Sequence, residues 1–431
     1  MTMVNFLKKL KVRYIEKGSF GHNTLTLISG TIIAQIIVIC SSPFLTRLYS
    51  PNDFGIFAIY YTIVMIVGCL ATAHYGFTIT LPIKDDDAID LLVLSLLISL
   101  LVSLCILILI LLFKQQLFNY PAIKNWIFFV PPTILFFGVF ESFSYWLLRK
   151  KEFKSLSIRR IIQFTVMTLV QITAGLLSFG YIGLIIGFFI GQIAGYGFLI
   201  YESVKENFNL IKKVSLYRII KQAKVYRNYP RFSMPSLLIS KASIHFPNIL
   251  LTKFFDISIV GFFSLPMRIL EAPLSLISQS ILDVFKERAT REYRVKNDFK
   301  YIFFKILKFQ ILIGIVPFTL VFLFAPKIIP IIFGPEWKIS GEFTRILSLM
   351  FFFKFISGPS ASALYILEKQ KYELVWQISL FLLTSAALIV GGLMHNYTIS
   401  IAAFSITCSV AYVIYILIVT INVKRSAIRK I

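Results

Sequence analysis

Three cationic side chains lie deep within apolar runs of the sequence and could bind an anion. Lys241, Arg268 and Lys354 each stand near the middle of a run long enough to cross a bilayer. A charge at this depth costs at least about 2.5–3.5 kcal/mol on insertion scales, so it requires a partner, a water-filled cavity or a function. Guanidinium and ammonium groups are good ligands for phosphate. We therefore predict that these cations line a central cavity and bind a phosphate-containing substrate group.

Other polar residues extend two of these positions. Lys241, His245 and Asn248 follow i, i+4, i+7 spacing, which places them on one face of a helix. Such a polar face contacts water or protein rather than lipid, so His245 and Asn248 are predicted to bind substrate as well. The alternative is internal neutralisation, with Arg268 paired to Glu271 at i, i+3 spacing and Lys241 reaching toward the membrane surface.

Two carboxylates within apolar runs are candidates for coupling to an ion gradient. Glu141 and Glu271 are each surrounded by apolar sequence. An ionisable residue at membrane depth is a candidate functional group by default. For Glu141 a structural hydrogen bond with Tyr145, one helical turn away, is an equally good interpretation. His74 is expected to be a packing residue rather than a proton carrier.

The motifs of common enzymes and metalloproteins are missing from the sequence. It contains no G-x-x-x-x-G-K-[ST] loop for ATP, no H-E-x-x-H zinc site and no G-x-S-x-G nucleophile motif. The four cysteines lie singly in apolar runs and form no paired motif. We therefore predict no cofactor and no metal, and enzymatic activity is disfavoured.

The composition places these residues in a membrane protein. Apolar residues make up 57% of the 431 residues and charged residues 15%, and the net charge is +24. In a typical soluble domain, apolar residues make up about 45–50% and charged residues about 25%. A nucleic-acid partner would require a polar domain to carry the positive charge, and no stretch of the sequence forms one. The sequence predicts an all-α integral membrane protein.

Apolar runs between charged clusters predict twelve membrane-spanning helices. Their predicted ranges are 24–48, 54–82, 89–113, 125–148, 157–179, 181–201, 230–253, 258–283, 301–325, 342–366, 373–394 and 397–421. If the N-terminus is cytoplasmic, the inner segments hold 32 lysines and arginines and the outer segments hold six. This asymmetry places both termini in the cytoplasm.

The basic segment before the first span has two interpretations. Phe6, Leu7, Leu10 and Tyr14 recur at helical spacing among lysines and an arginine. This pattern fits a short helix that lies on an anionic membrane surface. A solvated basic leader is the alternative.

A weak internal repeat divides the chain into halves. The segment 45–58 aligns without a gap onto 251–264, at an offset of 206 residues. Two repeats of six spans enter the membrane in the same direction, and a transported molecule is then handled between them. We predict an N-terminal six-helix lobe (1–201), a basic cytoplasmic linker (202–229) and a C-terminal six-helix lobe (230–431) around a central cavity.

One predicted span carries a stripe of glycines. Gly183, Gly187, Gly191 and Gly195 recur every fourth residue and therefore share one helix face. Small residues at this spacing allow two helix backbones to approach closely. The stripe predicts helix packing rather than chemistry.

Several segments resemble bacterial oligosaccharide flippases of the Wzx type, in the multidrug/oligosaccharidyl-lipid/polysaccharide (MOP) exporter superfamily. The similar segments are PFLTRLYSPNDFGIFAIY (43–60), LPIKDDDAIDLL (81–92), YPRFSMPS (229–236), VGFFSLPMRILEAP (260–273), FGPEW (333–337) and ILEKQKYELVWQI (366–378). Arg268 falls in an arginine motif of this family and is carried over as a substrate-binding residue. Gly30 and Gln35 stand where the related lipid II flippases have arginines, which argues against that branch.

The resemblance implies a function and a location. It implies that an undecaprenyl-pyrophosphate-linked oligosaccharide, such as an O-antigen repeat unit, passes from the inner to the outer leaflet of the bacterial inner membrane. Polysaccharide polymerase machinery is a candidate partner besides the lipid bilayer, and no nucleic acid is expected.

Two other classes of function remain open at this stage. A cation-coupled multidrug exporter of the same superfamily predicts an acidic or aromatic cavity, and the cations within the spans argue against it. A membrane polysaccharide polymerase or acyltransferase would alter its substrate covalently rather than move it. The outer loops of this chain are short for such an enzyme.

Overall fold

The computed structural model describes residues 20–118, 124, 126–211, 214–296 and 298–428. Within these ranges all regular structure is helical, and it comprises fifteen α-helices joined by short turns. The predicted surface helix around Phe6 and Tyr14 lies outside the described residues.

The described residues of the first half of the chain form eight α-helices. They are α1 (Phe20–Leu48), α2 (Pro51–Gly68), α3 (Tyr75–Thr78), α4 (Asp85–Leu112), α5 (Lys114–Phe118), α6 (Val130–Arg149), α7 (Phe153–Leu176) and α8 (Tyr181–Ile211). A single 3-10 turn, Ile127–Phe129, precedes α6.

The described residues of the second half form seven more α-helices. They are α9 (Leu216–Val225), α10 (Met234–Phe254), α11 (Ile257–Lys296), α12 (Lys300–Phe333), α13 (Lys338–Ile366), α14 (Gln370–Leu393) and α15 (Tyr397–Ile428). A π-helical turn, Tyr229–Ser233, precedes α10, and the 3-10 turn Pro335–Trp337 precedes α13.

Nine helices among the described residues are long and apolar enough to cross a membrane. The chain is therefore a multi-pass membrane protein. Three further predicted spans correspond to α7, α8 and α10. Two of these, α7 and α10, carry buried or half-buried polar side chains such as Gln171 and Lys241, which lower their mean hydropathy. Gln171 belongs to the face of α7 that packs on α8.

The second predicted span, 54–82, is not one helix. α2 ends at Gly68, a turn follows, and α3 begins only at Tyr75. Ala73 and His74 have positive φ values of 47° and 63°. A left-handed backbone interrupts a right-handed helix, and apolar composition alone does not reveal such a break.

The eighth predicted span, 258–283, is longer in the structure. α11 continues to Lys296 and makes an ion pair there, in which Lys296 Nζ lies 3.0 Å from Glu292 Oε2. Oppositely charged residues four apart stabilise an exposed helix. The segment predicted as an inner loop is thus mostly a helical extension.

The chain divides into two compact units. Unit 1 consists of Met1–Leu48 with Tyr60–Lys241, and unit 2 consists of Tyr49–Ile59 with Ala242–Ile431. This division passes through α2 and α10.

In unit 1 the glycine stripe of α8 packs on α7. A Cβ added at Gly187 would meet Gln171, one at Gly191 would meet Met167, and one at Gly195 would meet Gln163. The predicted close packing is confirmed for these three glycines. Between α4 and α6, the hydroxyls of Ser95 and Ser142 lie 2.6 Å apart.

In unit 2 the beginnings of α2 and α11 cross at two glycines. A Cβ added at Gly55 would overlap the carbonyl oxygen of Ile257, and one added at Gly261 would overlap that of Pro51. Gly55 and Gly261 are equivalent in the repeat, as are Pro51 and Ile257. The contact is therefore reciprocal, and the repeat seen in the sequence has a structural counterpart at this crossing.

Candidate functional site

Two charged clusters contain the candidate residues of the predicted spans, one in each unit. In unit 2, Lys354 of α13 donates a hydrogen bond from Nζ to Glu271 Oε1 of α11 at 2.7 Å. The side chains are 28% and 40% exposed, so the pair is only partly enclosed. Lys354 Nζ also lies 5.3 Å from the centroid of the Phe351 ring. Lys354 is consequently a paired cation.

Arg268 stands one helical turn before Glu271 and is half-buried. Residues three apart on a helix share a face, so Arg268, Glu271 and Lys354 belong to one neighbourhood. The sequence offered Arg268 as the neutralising partner of Glu271. In the structure Lys354, which is 83 residues further along the chain, donates a hydrogen bond to Glu271. The three side chains are thus two cations and one carboxylate.

Glu141 is the corresponding carboxylate of unit 1. It lies on α6 and accepts a hydrogen bond at Oε2 from Thr72 Oγ1 at 2.8 Å. Thr72 belongs to the turn that breaks the second predicted span. The considered hydrogen bond from Tyr145 is not the one formed, because the Tyr145 ring packs edge-on against Phe77.

Lys241 joins the cluster of Glu141. Its ammonium interacts electrostatically with the Glu141 carboxylate and with Cys69. In each unit, a candidate glutamate of a predicted span therefore has a lysine of another predicted span as an electrostatic partner. The pairing offsets the charge of both groups where hydration is poor.

His245 and Asn248 are half-buried on α10. The helix continues from Met234 to Phe254 with Pro247 inside it, so the predicted i, i+4, i+7 face is formed. The unit boundary falls directly after Lys241, and these two residues belong to unit 2. Their role in binding substrate stays a prediction.

One buried cation, Arg159, was not among the candidate residues that the sequence suggested. In the structure Arg159 lies in α7 and is 5% exposed. Its guanidinium carbon lies 4.0 Å from the centroid of the Phe140 ring, and Nη1 donates to Gln163 Oε1 at 3.0 Å. Gln163 faces Gly195, so the glycine stripe was the available signal for this buried face.

The segment LPIKDDD forms a second structure that sequence reasoning did not anticipate. Arg149 Nε donates to Asp85 at 2.9 Å, and its Nη atoms donate to the carbonyls of Pro82 and Ile83 at 2.5 and 3.1 Å. Lys150 Nζ reaches the same carboxylate at 2.6 Å. The planar fork of Arg149 thereby fixes the loop that leads into α4.

An aromatic cluster of unit 1 also contains the left-handed turn. The rings of His74 and Phe77 are stacked with centroids 5.5 Å apart, and Tyr229 lies 5.9 Å from Phe77. Tyr226 adjoins Tyr229 at 6.2 Å. Burial and the neighbouring Asp87 carboxylate raise the pKa of the Tyr226 hydroxyl, which therefore stays protonated.

The fold is shared with solved transporter structures. The chain resembles a structure described as the lipid II flippase MurJ, with a TM-score of 0.72, 14% identity and coverage of 94% of this chain and 90% of the other. It also resembles a multidrug resistance MATE family transporter of the MOP superfamily, with a TM-score of 0.67, 12% identity and coverage of 94% and 99%.

A third similar structure is a MOP superfamily transporter from Pyrococcus furiosus. Its TM-score is 0.62 at 12% identity, and the alignment covers 93% of this chain and 94% of the other. The comparison with curated protein sequences gives no match. Taken together, the helices and these likenesses confirm the predicted all-α, twelve-helix fold of two six-helix lobes.

The fold and the charged clusters define a multi-pass membrane protein with the architecture of MOP superfamily transporters. The sequence model of the polysaccharide biosynthesis protein family matches residues 44–342. The chain belongs to this family.

Proposed function

We propose that the chain is a flippase that moves an undecaprenyl-pyrophosphate-linked oligosaccharide, such as an O-antigen repeat unit, across the bacterial inner membrane by alternating access. The observation that carries the proposal is the Lys354–Glu271 ion pair at 2.7 Å, which joins two predicted spans, is partly exposed and has Arg268 one helical turn away on the same helix as Glu271. Membership of the polysaccharide biosynthesis family supports a glycan-bearing substrate.

The Lys354–Glu271 pair suggests how the diphosphate is bound and released. An arriving diphosphate competes with Glu271 for the Lys354 ammonium, while the Arg268 guanidinium offers a planar set of donors to phosphate oxygens. Glu271 then loses its cation and gains affinity for a proton or another cation. In this scheme Glu271 couples substrate release to ion binding, and Glu141 with Lys241 repeats the arrangement in unit 1.

The remaining sequence predictions fit this scheme. The excess of basic residues in the inner segments orients both termini toward the cytoplasm. Lobes 1–201 and 230–431 would be joined by the basic linker 202–229, which contacts anionic headgroups. His245 and Asn248 would offer hydrogen bonds to the sugars or phosphates, and no covalent step is required.

The proposal is tested by reconstituting the Arg268→Ala variant in vesicles that contain the lipid-linked oligosaccharide and measuring the flipping rate. Losing a charge-assisted contact costs about 1.5–3 kcal/mol, so we expect at least a ten-fold lower flipping rate. Arg268→Lys retains the charge but not the fork and should recover only part of the rate.

The matched control is Arg345→Ala. Arg345 makes an ion pair at 2.6 Å with Glu342 on the same helix as Lys354, with both side chains well exposed. Exposed pairs of this kind contribute little, so the control should flip substrate at the wild-type rate. A wild-type rate in correctly inserted Arg268→Ala protein would refute the assigned site.

A further inference from the structure

The aromatic cluster of unit 1 has the composition of a carbohydrate site. It consists of His74, Phe77, Tyr145, Tyr226 and Tyr229 and is called the aromatic platform below. The Phe77 ring lies centrally, 5.5 Å from His74, 5.6 Å from Tyr145 and 5.9 Å from Tyr229. Rings from α3, α6 and the turn before α10 thus converge, although they are far apart in the sequence.

The platform differs from the apolar core beside it. Tyr75, Phe143 and Trp146 are at most 7% exposed and form a dry layer. Phe77 is 36% exposed, and the other four rings are half-buried. Phe77 is therefore accessible at the surface of unit 1, while Tyr145 and Tyr226 pack against the buried core.

Unusual backbone geometry holds the platform in place. His74 adopts a left-handed conformation at φ 63°, which is unfavourable for a residue with a side chain. Tyr229 opens a π-helical turn. Non-glycine left-handed residues and π-turns concentrate at functional sites. Tyr75 Oη anchors the assembly by donating to the Ala223 carbonyl at 3.0 Å.

The platform combines apolar faces with unused polar groups. Among the described residues, the hydroxyls of Tyr145, Tyr226 and Tyr229 have no hydrogen-bond partner, and neither has Nδ1 of His74. A pyranose ring needs this combination, because its axial C–H bonds stack on aromatic faces while its hydroxyls exchange hydrogen bonds at the rim. Tyrosine is well suited, since one end is apolar and the other polar.

Cations and a carboxylate border the platform. Arg231, two residues after Tyr229, is exposed and interacts electrostatically with Tyr75. Glu141 lies one helical turn from Tyr145. An anionic group that is linked to a sugar would meet Arg231 where the sugar meets the rings. A cationic amphiphile would gain from the rings but would be opposed by Arg231.

We propose that the aromatic platform binds a sugar of a prenyl-diphosphate-linked oligosaccharide on the side of the basic loops. The inference rests on the proposed function and deepens it, because it assigns a glycan subsite separate from the cationic cluster of unit 2. Phe77 and Tyr229 provide the stacking faces, and His74 and Tyr145 frame them.

The experiment measures binding of two probes to the full chain in nanodiscs. One probe is a prenyl diphosphate that carries a disaccharide, and the other is the same prenyl diphosphate without sugar. The Phe77→Ala and Tyr229→Ala variants are expected to bind the first probe at least ten-fold more weakly than the wild type. Their affinity for the second probe should stay within two-fold of the wild-type value. Phe77→Leu preserves apolar volume without an aromatic face. It should also lose the part of the binding affinity that depends on the sugar.

The matched control is Phe232→Ala. Phe232 is three residues after Tyr229 and 70% exposed, so its removal should change neither affinity. Tyr229→Phe keeps the ring and should retain most of the disaccharide affinity, which also verifies that the turn folds.

Three outcomes would overturn the proposal, and they are distinguishable. An equal loss of affinity for both probes would show that the rings contact the lipid or the diphosphate instead. Unchanged disaccharide affinity in Phe77→Ala and Tyr229→Ala would refute the platform but leave the proposed function intact. Failure of the wild-type protein to bind the disaccharide probe would refute both.

Discussion

The intramembrane glutamates determine how the cations of this protein can act. Lys354 is held by Glu271 at 2.7 Å, so its charge is available to a substrate only when that pair opens. In the proposed flippase, substrate binding would therefore contain a competition between an internal carboxylate and an external phosphate. A permanently unpaired lysine would bind the anion more tightly but would release it less readily.

Substituting Glu271→Gln tests this competition. Glutamine keeps an oxygen acceptor for Lys354 but removes the negative charge, so the diphosphate no longer competes with a charged group. A partly exposed pair contributes up to about 1 kcal/mol, and substrate affinity should therefore rise about five-fold. Titration of the lipid-linked oligosaccharide into the purified protein measures the change, and net flipping should slow because release is impaired.

Glu342→Gln is the control for this substitution. Glu342 also pairs with a cation, Arg345, at 2.6 Å and with similar exposure, but it lies outside the cluster. The Glu342→Gln variant should bind substrate with the same affinity as the wild type. If Glu271→Gln binds substrate no better than Glu342→Gln, the competition does not occur.

Residue types were easier to predict from the sequence than their partners. The apolar surroundings of Lys241, Lys354 and Glu141 identified these residues as unusual. Their partners were not predictable, because i, i+3 and i, i+4 rules reach only along one helix. The Lys354–Glu271 contact joins α11 and α13, and Thr72 reaches Glu141 across 69 residues. Such contacts depend on tertiary packing.

At the scale of helices, the two repeats of the sequence meet where α2 and α11 cross and their backbones approach closely at Gly55 and Gly261. Both helices begin with matched caps. Ser50 and Asp53 exchange hydrogen bonds at the start of α2, and Asp256 accepts one from the Ser258 amide at the start of α11. These interactions satisfy free amides at the helix starts. The caps and the paired glycines together fix where the two helices meet.

Replacing either crossing glycine should disrupt unit 2. In Gly55→Ala and Gly261→Ala the added methyl group would overlap a backbone carbonyl, which cannot rotate away as a side chain can. Overpacking of this kind costs about 1–3 kcal/mol. We expect a lower melting temperature in detergent, with a similar decrease for the two variants because the contact is reciprocal.

Gly197→Ala provides the opposite case. A Cβ at Gly197 would meet nothing within 4 Å, and alanine is favoured over glycine within a helix by about 0.5–1 kcal/mol. This variant should be as stable as the wild type or more so. Equal melting temperatures for all three variants would contradict the close crossing.

The positions of the helices were largely predictable, whereas their interruptions were not. Twelve long apolar runs predicted the spans because the bilayer demands about 20 apolar residues for each. The break at Ala73 and His74 and the π-turn at Tyr229 were missed, since neither lies at a glycine or follows from hydropathy. Both belong to the aromatic platform, which was consequently invisible from the sequence.

At the scale of the whole molecule, charge asymmetry and transport direction are linked. The basic residues concentrate in segments predicted to face the cytoplasm, where they contact anionic headgroups and attract diphosphate lipids. In the proposed mechanism, the cationic cluster of unit 2 would then lower the free-energy cost of moving the diphosphate through the membrane. Neither feature by itself drives net movement, because both act equally on forward and reverse steps.

The membrane potential can supply the direction. An inside-negative potential favours outward movement of negative charge by about 2.3 kcal/mol per charge per 100 mV, which corresponds to about a 40-fold shift in distribution. In vesicles holding a potassium diffusion potential of this size, the lipid-linked oligosaccharide should accumulate in the outer leaflet by at least that factor. Equal potassium on both sides, with the same ionophore, should give an even distribution. A distribution that ignores the potential would mean that counter-ions cancel the moved charge, and one that follows only an imposed pH gradient would assign the driving force to protons carried by the glutamates.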